Sequence, residues 1–379
     1  MSDVIGEIVA RRGAALRDGD AARWRATVTD ITSAIGVREV EAFASLQALG
    51  VTSLDLVAVV SVDSSGWPGS AQAVIDLGYA VPGVDRALRV ARRTVVVAPG
   101  ARGDLKMSMS WRSPTDPLEV FDIGPIEVSH SEAGVLAIAD PASAPTAKAG
   151  DVAWAARLSA ARERTSEVMG DVPPVLVVVP QTLDDFAGLV KRGSTVGAER
   201  ISAVTEGARP SGVAAPADRV ILNTGALATL SEEGQTVVLA HELTHVTLRV
   251  VPPRPVPLWW IEGCAEWTAY QGVILPESLR WKVAIDRHRS IPSWPTSLPG
   301  EADFASGSSE FATSYVISEI AVGLLARHYG ARVCTVLATA GDDHQNGPTA
   351  ELSLGQFGTS DPALSGEVHA LLSRMAGGP

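Results

Sequence analysis

Residues 237–250, VVLAHELTHVTLRV, place polar titratable side chains inside an apolar stretch. Ser231, followed directly by two glutamates, is a typical helix start, because its hydroxyl can accept a free backbone N–H and carboxylates favour the first turn. A helix that begins there brings His241 and His245 onto one face, one turn apart. Polar groups in apolar surroundings are costly unless they have partners. The segment therefore predicts a largely buried helix whose two histidines share a partner.

Glu242, between the histidines, completes a His-Glu-x-x-His pattern that is typical of zinc hydrolases. Two imidazoles one helical turn apart can bind one zinc ion at about 2.0–2.1 Å each. The Glu242 carboxylate then projects beside the ion, where it can take a proton from a water whose pKa zinc lowers to roughly 7. The pattern is short and also arises by chance, so a pair of satisfied helix-surface histidines is the alternative. The apolar flanks favour the metal site.

A hydrolytic zinc site also needs a third protein ligand and an open fourth position. Glu262 lies seventeen residues after His245 in the segment PLWWIEGCAEWTAY, and the preceding VPPRPVP predicts a rigid turn that packs the second helix on the first. Glu262 and Glu266 are one turn apart, so Glu262 can bind the ion while Glu266 holds the other nitrogen of a ligating histidine. Solvated glutamates are the alternative, but the neighbouring tryptophans leave this helix little solvent-facing area.

Together the two segments resemble the gluzincin metallopeptidases of the MA clan, in which His-Glu-x-x-His precedes a glutamate in a W-x-x-E-G-x-A context. The similarity extends over about residues 175–330, and more loosely over the N-terminal region. It is greatest to small peptidase-MA-like proteins of actinobacteria. The resemblance implies one zinc ion bound by His241, His245 and Glu262, with Glu242 as general base.

Two further residues take roles from the same resemblance. Glu266 stands where the family carries a carboxylate behind a ligating histidine, often an aspartate, so the longer glutamate departs from the pattern. The segment EFATSYVISEIAVGLLARHYG is similar to the family's late helix, and Tyr315 matches its inward tyrosine. That match implies a hydrogen-bond donor for the oxyanion of the tetrahedral intermediate. A core tyrosine with a satisfied hydroxyl is the alternative for Tyr315.

The resemblance implies a zinc-dependent peptidase that acts on peptide or protein substrates. The alternative is a non-catalytic binding or regulatory module that zinc stabilises. Glu242 argues against the alternative, because a purely structural metal site does not need a base.

The rest of the chain predicts an α+β fold. Helical periodicity at the N-terminus changes near Val51 to short β-rich runs, which predict a curled antiparallel sheet. This combination, over residues 1–138, resembles the cone-shaped domain of nuclear transport factor 2. Residues 139–151, ADPASAPTAKAGD, predict a linker. A metallopeptidase domain is predicted at 152–379, with a small sheet, a loop at 200–218 and mainly helices after that.

Composition limits the partners and the location. The net charge of −12 argues against nucleic acid or an anionic membrane surface, because both are bound through clustered Lys and Arg. No stretch reaches the about 18–20 uninterrupted apolar residues of a membrane helix. The N-terminus lacks the apolar core of a signal peptide. These features predict a cytoplasmic chain without a membrane span.

Two cysteines, Cys264 and Cys334, are too few for a disulfide framework or a Cys-rich zinc cluster. A single bridge between them is possible, but two unpaired and buried thiols are expected. Cys264 is interpreted as a packing residue, because it points away from Glu262 around the helix.

Overall fold

A computed structural model of the chain contains helices and two separate β-sheets, which confirms the α+β class. By their contacts the residues divide into two units, Met1–Ala155 with Pro174–Thr229, and Ala156–Pro173 with Leu230–Pro379. The structure describes residues 1–64, 69–113, 116–139, 147–190, 198–207, 216–249, 256–291, 293–305, 307–339 and 354–377.

The first unit begins with helices and an antiparallel sheet. Its helices are α1 (Ser2–Asp18), α2 (Ala21–Arg25) and α3 (Ala34–Ala48). Four strands pair in chain order, namely β1 (Asp55–Ser64), β2 (Ala71–Tyr79), β3 (Arg89–Pro99) and β4 (Leu105–Trp111). Buried apolar side chains from the helices and the sheet, including Ile8, Phe43 and Ile75, form one core. The predicted antiparallel sheet after Val51 is therefore confirmed for these four strands.

A second sheet has the strand order β5-β6-β7-β9-β8. Its strands are β5 (Ile126–Ser131), β6 (Gly134–Ala139), β7 (Val175–Val179), β8 (Ala203–Glu206) and β9 (Arg219–Leu222). Strand β7 pairs in parallel with β6 and β9, and every residue of it is buried, as central parallel strands require. Strand β8 lies within 200–218, where the sequence predicted only loop. That prediction was wrong for β8, a four-residue strand too short to show a clear period.

The boundary between the two units differs from the predicted one because of the strand pairing in the second sheet. Because β6 pairs with β7, strands β5 and β6 share a sheet with β7, β8 and β9. The predicted division into 1–138 and 152–379 therefore differs from the units of the structure. Residues 140–146 of the predicted linker lie outside the described residues.

Helix α4 (Ala147–Met169) follows, and from Ala156 onward it belongs to the second unit. Two short helices, α5 (Leu183–Leu189) and α6 (Thr224–Leu227), complete the first unit. Single 3₁₀ turns are present at Val120–Asp122, Ala198–Arg200 and Glu301–Phe304.

The described part of the second unit is helical, as the sequence predicted for the region after residue 230. Its helices are α7 (Glu232–Arg249), α8 (Leu258–Ala269), α9 (Glu277–Arg280), α10 (Lys282–Ser290), α11 (Phe311–Tyr329), α12 (Arg332–Thr339) and α13 (Asp361–Met375). Helices α8, α11 and α13 pack around a core that includes Trp260, Ile320 and Leu372. Among the described helices, none has the length and apolarity needed to cross a bilayer.

A disulfide joins Cys264 on α8 to Cys334 on α12, so the prediction of two unpaired thiols was wrong. Their Cα atoms lie 5.7 Å apart, within the usual range for a bridge. Cys264 does point away from Glu262, but toward Cys334. By the chain-entropy model, closing a loop of this sequence separation of 70 residues stabilises the fold by roughly 4 kcal/mol.

Buried charges connect the two sheets of the first unit. Arg219 on β9, which is 5% exposed, pairs with Glu119 at 3.1 Å and also with Glu206 on β8. Tyr79 at the end of β2 donates its hydroxyl to Glu119 at 2.7 Å. Burial lowers the pKa of Arg219, but the two carboxylates outweigh this effect and raise it. These contacts explain why the second sheet belongs to the first unit.

We predict that Arg219→Met destabilises the first unit by about 3–5 kcal/mol, because it removes the cation that faces two buried carboxylates. Arg92→Met is the matched control. Arg92 pairs with Asp76 at 2.8 Å, but its side chain is 50% exposed, so its loss should cost less than about 1 kcal/mol. Urea unfolding followed by far-UV circular dichroism measures both. Equal effects of the two substitutions would contradict the importance of the buried network.

Candidate metal centre

Helix α7 presents its two histidines on a face that is not filled by apolar side chains. The predicted cap is confirmed, since the Ser231 hydroxyl oxygen accepts the backbone N–H of Gly234 at 3.1 Å. The apolar side of the helix is buried and consists of Val237, Leu239, Ala240, Leu243 and Val246. His241 and His245 lie on the remaining face, each with a side chain 13% exposed.

Helix α4 holds α7 and α8 together. Arg164 of α4 pairs with Glu233 of α7 at 2.6 Å and donates to the backbone carbonyl of Ala269 of α8 at 3.0 Å. The buried hydroxyl of Thr165 lies 2.9 Å from the carbonyl oxygen of Ala161 in its own helix and 3.3 Å from that of Ala240 in α7, and so shares its proton between them. These polar contacts limit sliding of α7 against α8.

Helix α8 lies directly against α11 at Gly263. A Cβ atom at this glycine would stand 2.5 Å from the carbonyl oxygen of Ser318. The two backbones therefore approach so closely that a residue with a side chain at position 263 would force them apart. The tryptophans Trp259 and Trp260 at the start of α8 are buried in the core. Glu262, next to Gly263, is therefore carried on a helix with little freedom to shift.

The structure brings the three predicted ligands together. The Nε2 atoms of His241 and His245 are 3.0 Å apart, and Glu262 Oε2 is 3.3 Å from each. Among the described residues, these form the one group of three or more His, Cys, Asp or Glu side chains that could hold a metal ion. Glu262 comes from a different helix, so the triangle depends on the packing of α7 on α8.

The chemistry of this triangle fits zinc. A tetrahedral ion with bonds of about 2.0–2.1 Å requires ligand atoms about 3.3–3.4 Å apart, close to the observed separations. Glu262 Oε2 is enclosed, and its polar neighbours are the two imidazole Nε2 atoms at 3.3 Å. A buried carboxylate is costly unless it is paired, and a proton on an imidazole or a bound cation in this place would supply the positive partner.

Glu266 lies beside His241, on the side of the ring away from the triangle. Its Oε1 is 3.2 Å from Nδ1 of His241. A carboxylate at Nδ1 favours the tautomer in which Nδ1 carries the proton, and so leaves Nε2 free to bind an ion. The longer side chain thus reaches the position that the family resemblance implies.

The carboxylates also control protonation at this site. Burial lowers the pKa of His241, but Glu262 and Glu266 outweigh burial and raise it well above the ordinary value. Burial raises the pKa of Glu262, whereas the charges of His245 and His241 lower it overall. Without an ion, the site therefore holds a proton on imidazole beside ionised carboxylate. Zinc binding would release that proton, so zinc affinity should fall in acid.

Tyr315 of α11 lies beside the same histidine. Its ring centroid is 6.1 Å from that of His241, and Phe304 and Phe311 pack against its other sides at 5.3 and 5.1 Å. Burial raises the pKa of Tyr315, and the charges of Glu262, Glu242 and Glu266 raise it further.

Glu242 is 6% exposed and follows His241 on α7. Its charge is one of those that raise the pKa of Tyr315. The predicted base thus follows a member of the triangle along α7, and the ring of the predicted donor lies beside that same histidine. Of the segment VPPRPVP, which the sequence predicts as a turn between α7 and α8, residues 251–255 lie outside the described residues.

Sequence reasoning did not find a second buried pair beside this site. Glu319 of α11, one turn after Tyr315, is 2% exposed and pairs with Arg280 of α9 at 2.9 Å. The Arg280 guanidinium also lies over the Tyr270 ring, 5.2 Å from its centroid. The two partners are distant in sequence, and no motif connects them. The one local signal is an acidic residue inside an otherwise apolar helix.

Comparison of the chain with family models, with curated proteins and with solved structures gave no match.

We predict that Glu319 makes the free energy of unfolding depend on pH. Burial raises the pKa of Glu319 to about 7, Arg280 opposes this, and Glu266 adds to it. When folding raises the pKa of a carboxyl group, the free energy of unfolding is highest below the pKa of the unfolded state. It falls as the pH rises from that value to the pKa of the folded state. Between about pH 4.5 and 7, the wild type should lose up to about 3 kcal/mol relative to Glu319→Gln.

Urea unfolding of the metal-free proteins at several pH values measures this difference. A constant difference, or one that changes in the opposite direction, would show that the ion pair with Arg280 keeps Glu319 ionised throughout.

Proposed function

We propose that the protein is a zinc-dependent metallohydrolase, and specifically a peptidase of the gluzincin type. The observation that carries this proposal is the triangle of His241, His245 and Glu262, whose ligand atoms lie 3.0–3.3 Å apart. A zinc ion there would lower the pKa of a water molecule and polarise a substrate carbonyl. The residues around it then supply proton transfer and charge stabilisation.

Glu242 is the general base in this proposal. Its carboxylate takes a proton from the attacking water and passes it to the leaving amine when the peptide bond breaks. Largely buried side chains hold their position without competition from solvent, and Glu242 is 6% exposed. A structural metal site would not need an ionisable group at this place, so Glu242 favours an enzyme over the zinc-stabilised binding module.

Tyr315 is the hydrogen-bond donor in this proposal. Burial and the surrounding carboxylates raise its pKa, so its hydroxyl keeps its proton at neutral pH and can donate to a developing oxyanion. Its ring packs against Phe304 and Phe311, which orients the hydroxyl before substrate arrives.

Peptide or protein substrates follow from the proposed activity. The net charge of −12 continues to argue against nucleic acid as a partner. The predicted cytoplasmic location stays a prediction, and the disulfide argues against it, since protein disulfides persist mainly in oxidising compartments.

We predict that Glu242→Gln lowers the rate of peptide hydrolysis by a factor of about 100 or more, while zinc stays bound. The amide keeps the size of the side chain but cannot accept the proton. Digestion of a peptide library, with and without a chelator, measures activity, and elemental analysis measures zinc.

Glu167→Gln is the matched control, because Glu167 is exposed on α4 and its loss should leave turnover unchanged. Activity retained by Glu242→Gln would contradict the proposed mechanism. Zinc bound by a wild type that cleaves no member of the library would favour the non-catalytic module.

A further inference from the structure

We propose that the Cys264–Cys334 disulfide maintains the metal centre, so that retention of zinc depends on the thiol–disulfide state of the chain. This inference rests on the zinc site of the proposed function. It adds that zinc retention requires the disulfide bond as well as the three ligands.

The bond begins within the segment that forms the site. Cys264 lies between Glu262 and Glu266 on α8, and its partner Cys334 lies on α12. Both cysteines are 0% exposed. The disulfide therefore attaches the centre of α8 to α12, on the side of α8 that faces away from Glu262.

The loop closed by the bond carries residues that lie beside the site, among them Tyr315 next to His241. The 70-residue separation between the cysteines includes α9, α10 and α11, and with them Tyr315 and the Glu319–Arg280 pair. At Gly263, next to Cys264, α8 lies against the backbone of Ser318 on α11. The disulfide thus limits movement of α8 next to its contact with α11, the helix that carries Tyr315.

Zinc retention is sensitive to small movements of α8. The three ligand atoms match a tetrahedral ion to within a few tenths of an ångström, and metal bonds tolerate departures of about 0.2 Å. Two side chains of α8 contact the α7 histidines, namely Glu262 as ligand and Glu266 at Nδ1 of His241. A shift of α8 would therefore displace both Glu262, a ligand, and Glu266, which orients the ligand His241.

The covalent step is ordinary thiol–disulfide exchange. The two cysteine thiols transfer two electrons to an external disulfide oxidant, the S–S bond forms, and the oxidant leaves as two thiols that carry the two protons. Because both sulfur atoms are enclosed, exchange is expected before the second unit closes or during opening. The mature site would then form in an oxidising compartment and resist reductants once folded.

The test compares the oxidised wild type, the wild type reduced by a phosphine after brief unfolding and refolding, and Cys264→Ala/Cys334→Ala. Zinc-loaded samples are mixed with a chromophoric chelator to measure the rate of zinc release. Circular dichroism and the thermal midpoint of the metal-free chain give readouts independent of zinc. Both forms without the bond should release zinc about tenfold faster or more, as when a supporting contact behind a ligand is lost. They should retain the helical signal and melt at a lower temperature.

Adding phosphine to the double alanine variant is the control, and it should change nothing. Equal release rates with and without the bond would overturn this inference alone. Collapse of the helical signal on reduction would also overturn it, because the bond would then hold the whole unit. An oxidised wild type that binds no zinc would overturn the proposed function as well, so the two failures are distinguishable.

Discussion

Three donor atoms within 3.0–3.3 Å of one another are the constraint on which the second unit depends. Two imidazoles and a carboxylate occupy a region that solvent scarcely reaches, and the enclosed Glu262 Oε2 has both imidazole Nε2 atoms as neighbours. Such a grouping is unfavourable without a proton or a metal ion between its members. The surrounding contacts are therefore best understood as holding this grouping in place. Helix α4 fixes α7 against α8, and Gly263 and the disulfide fix α8 against its other neighbours.

The local parts of the site could be predicted from the sequence. Helical spacing places His241 and His245 on one face, and Glu262 with Glu266 on one face of the next helix, whatever the rest of the chain does. The α+β class followed from the change of period near Val51. That the two faces meet needed the family motif, because neither helix contains information about the other.

The parts that could not be predicted involve residues far apart in the chain. The parallel pairing of β6 with β7 crosses the predicted linker, and no local pattern indicates which strands will be neighbours. Two cysteines separated by 70 residues form one bond with no characteristic spacing. The pair of Arg280 with Glu319 likewise depends on the packing of α9 against α11. In each case sequence patterns describe one element, whereas the contact depends on two.

The number of zinc ions bound per chain shows whether His241, His245 and Glu262 form a zinc site. Elemental analysis after dialysis should give one zinc per chain for the wild type and close to none for His245→Ala, which removes one corner of the triangle while the exposed surface of the fold is little changed. A wild type without zinc, or a His245→Ala variant that binds zinc as well as the wild type, would contradict the account.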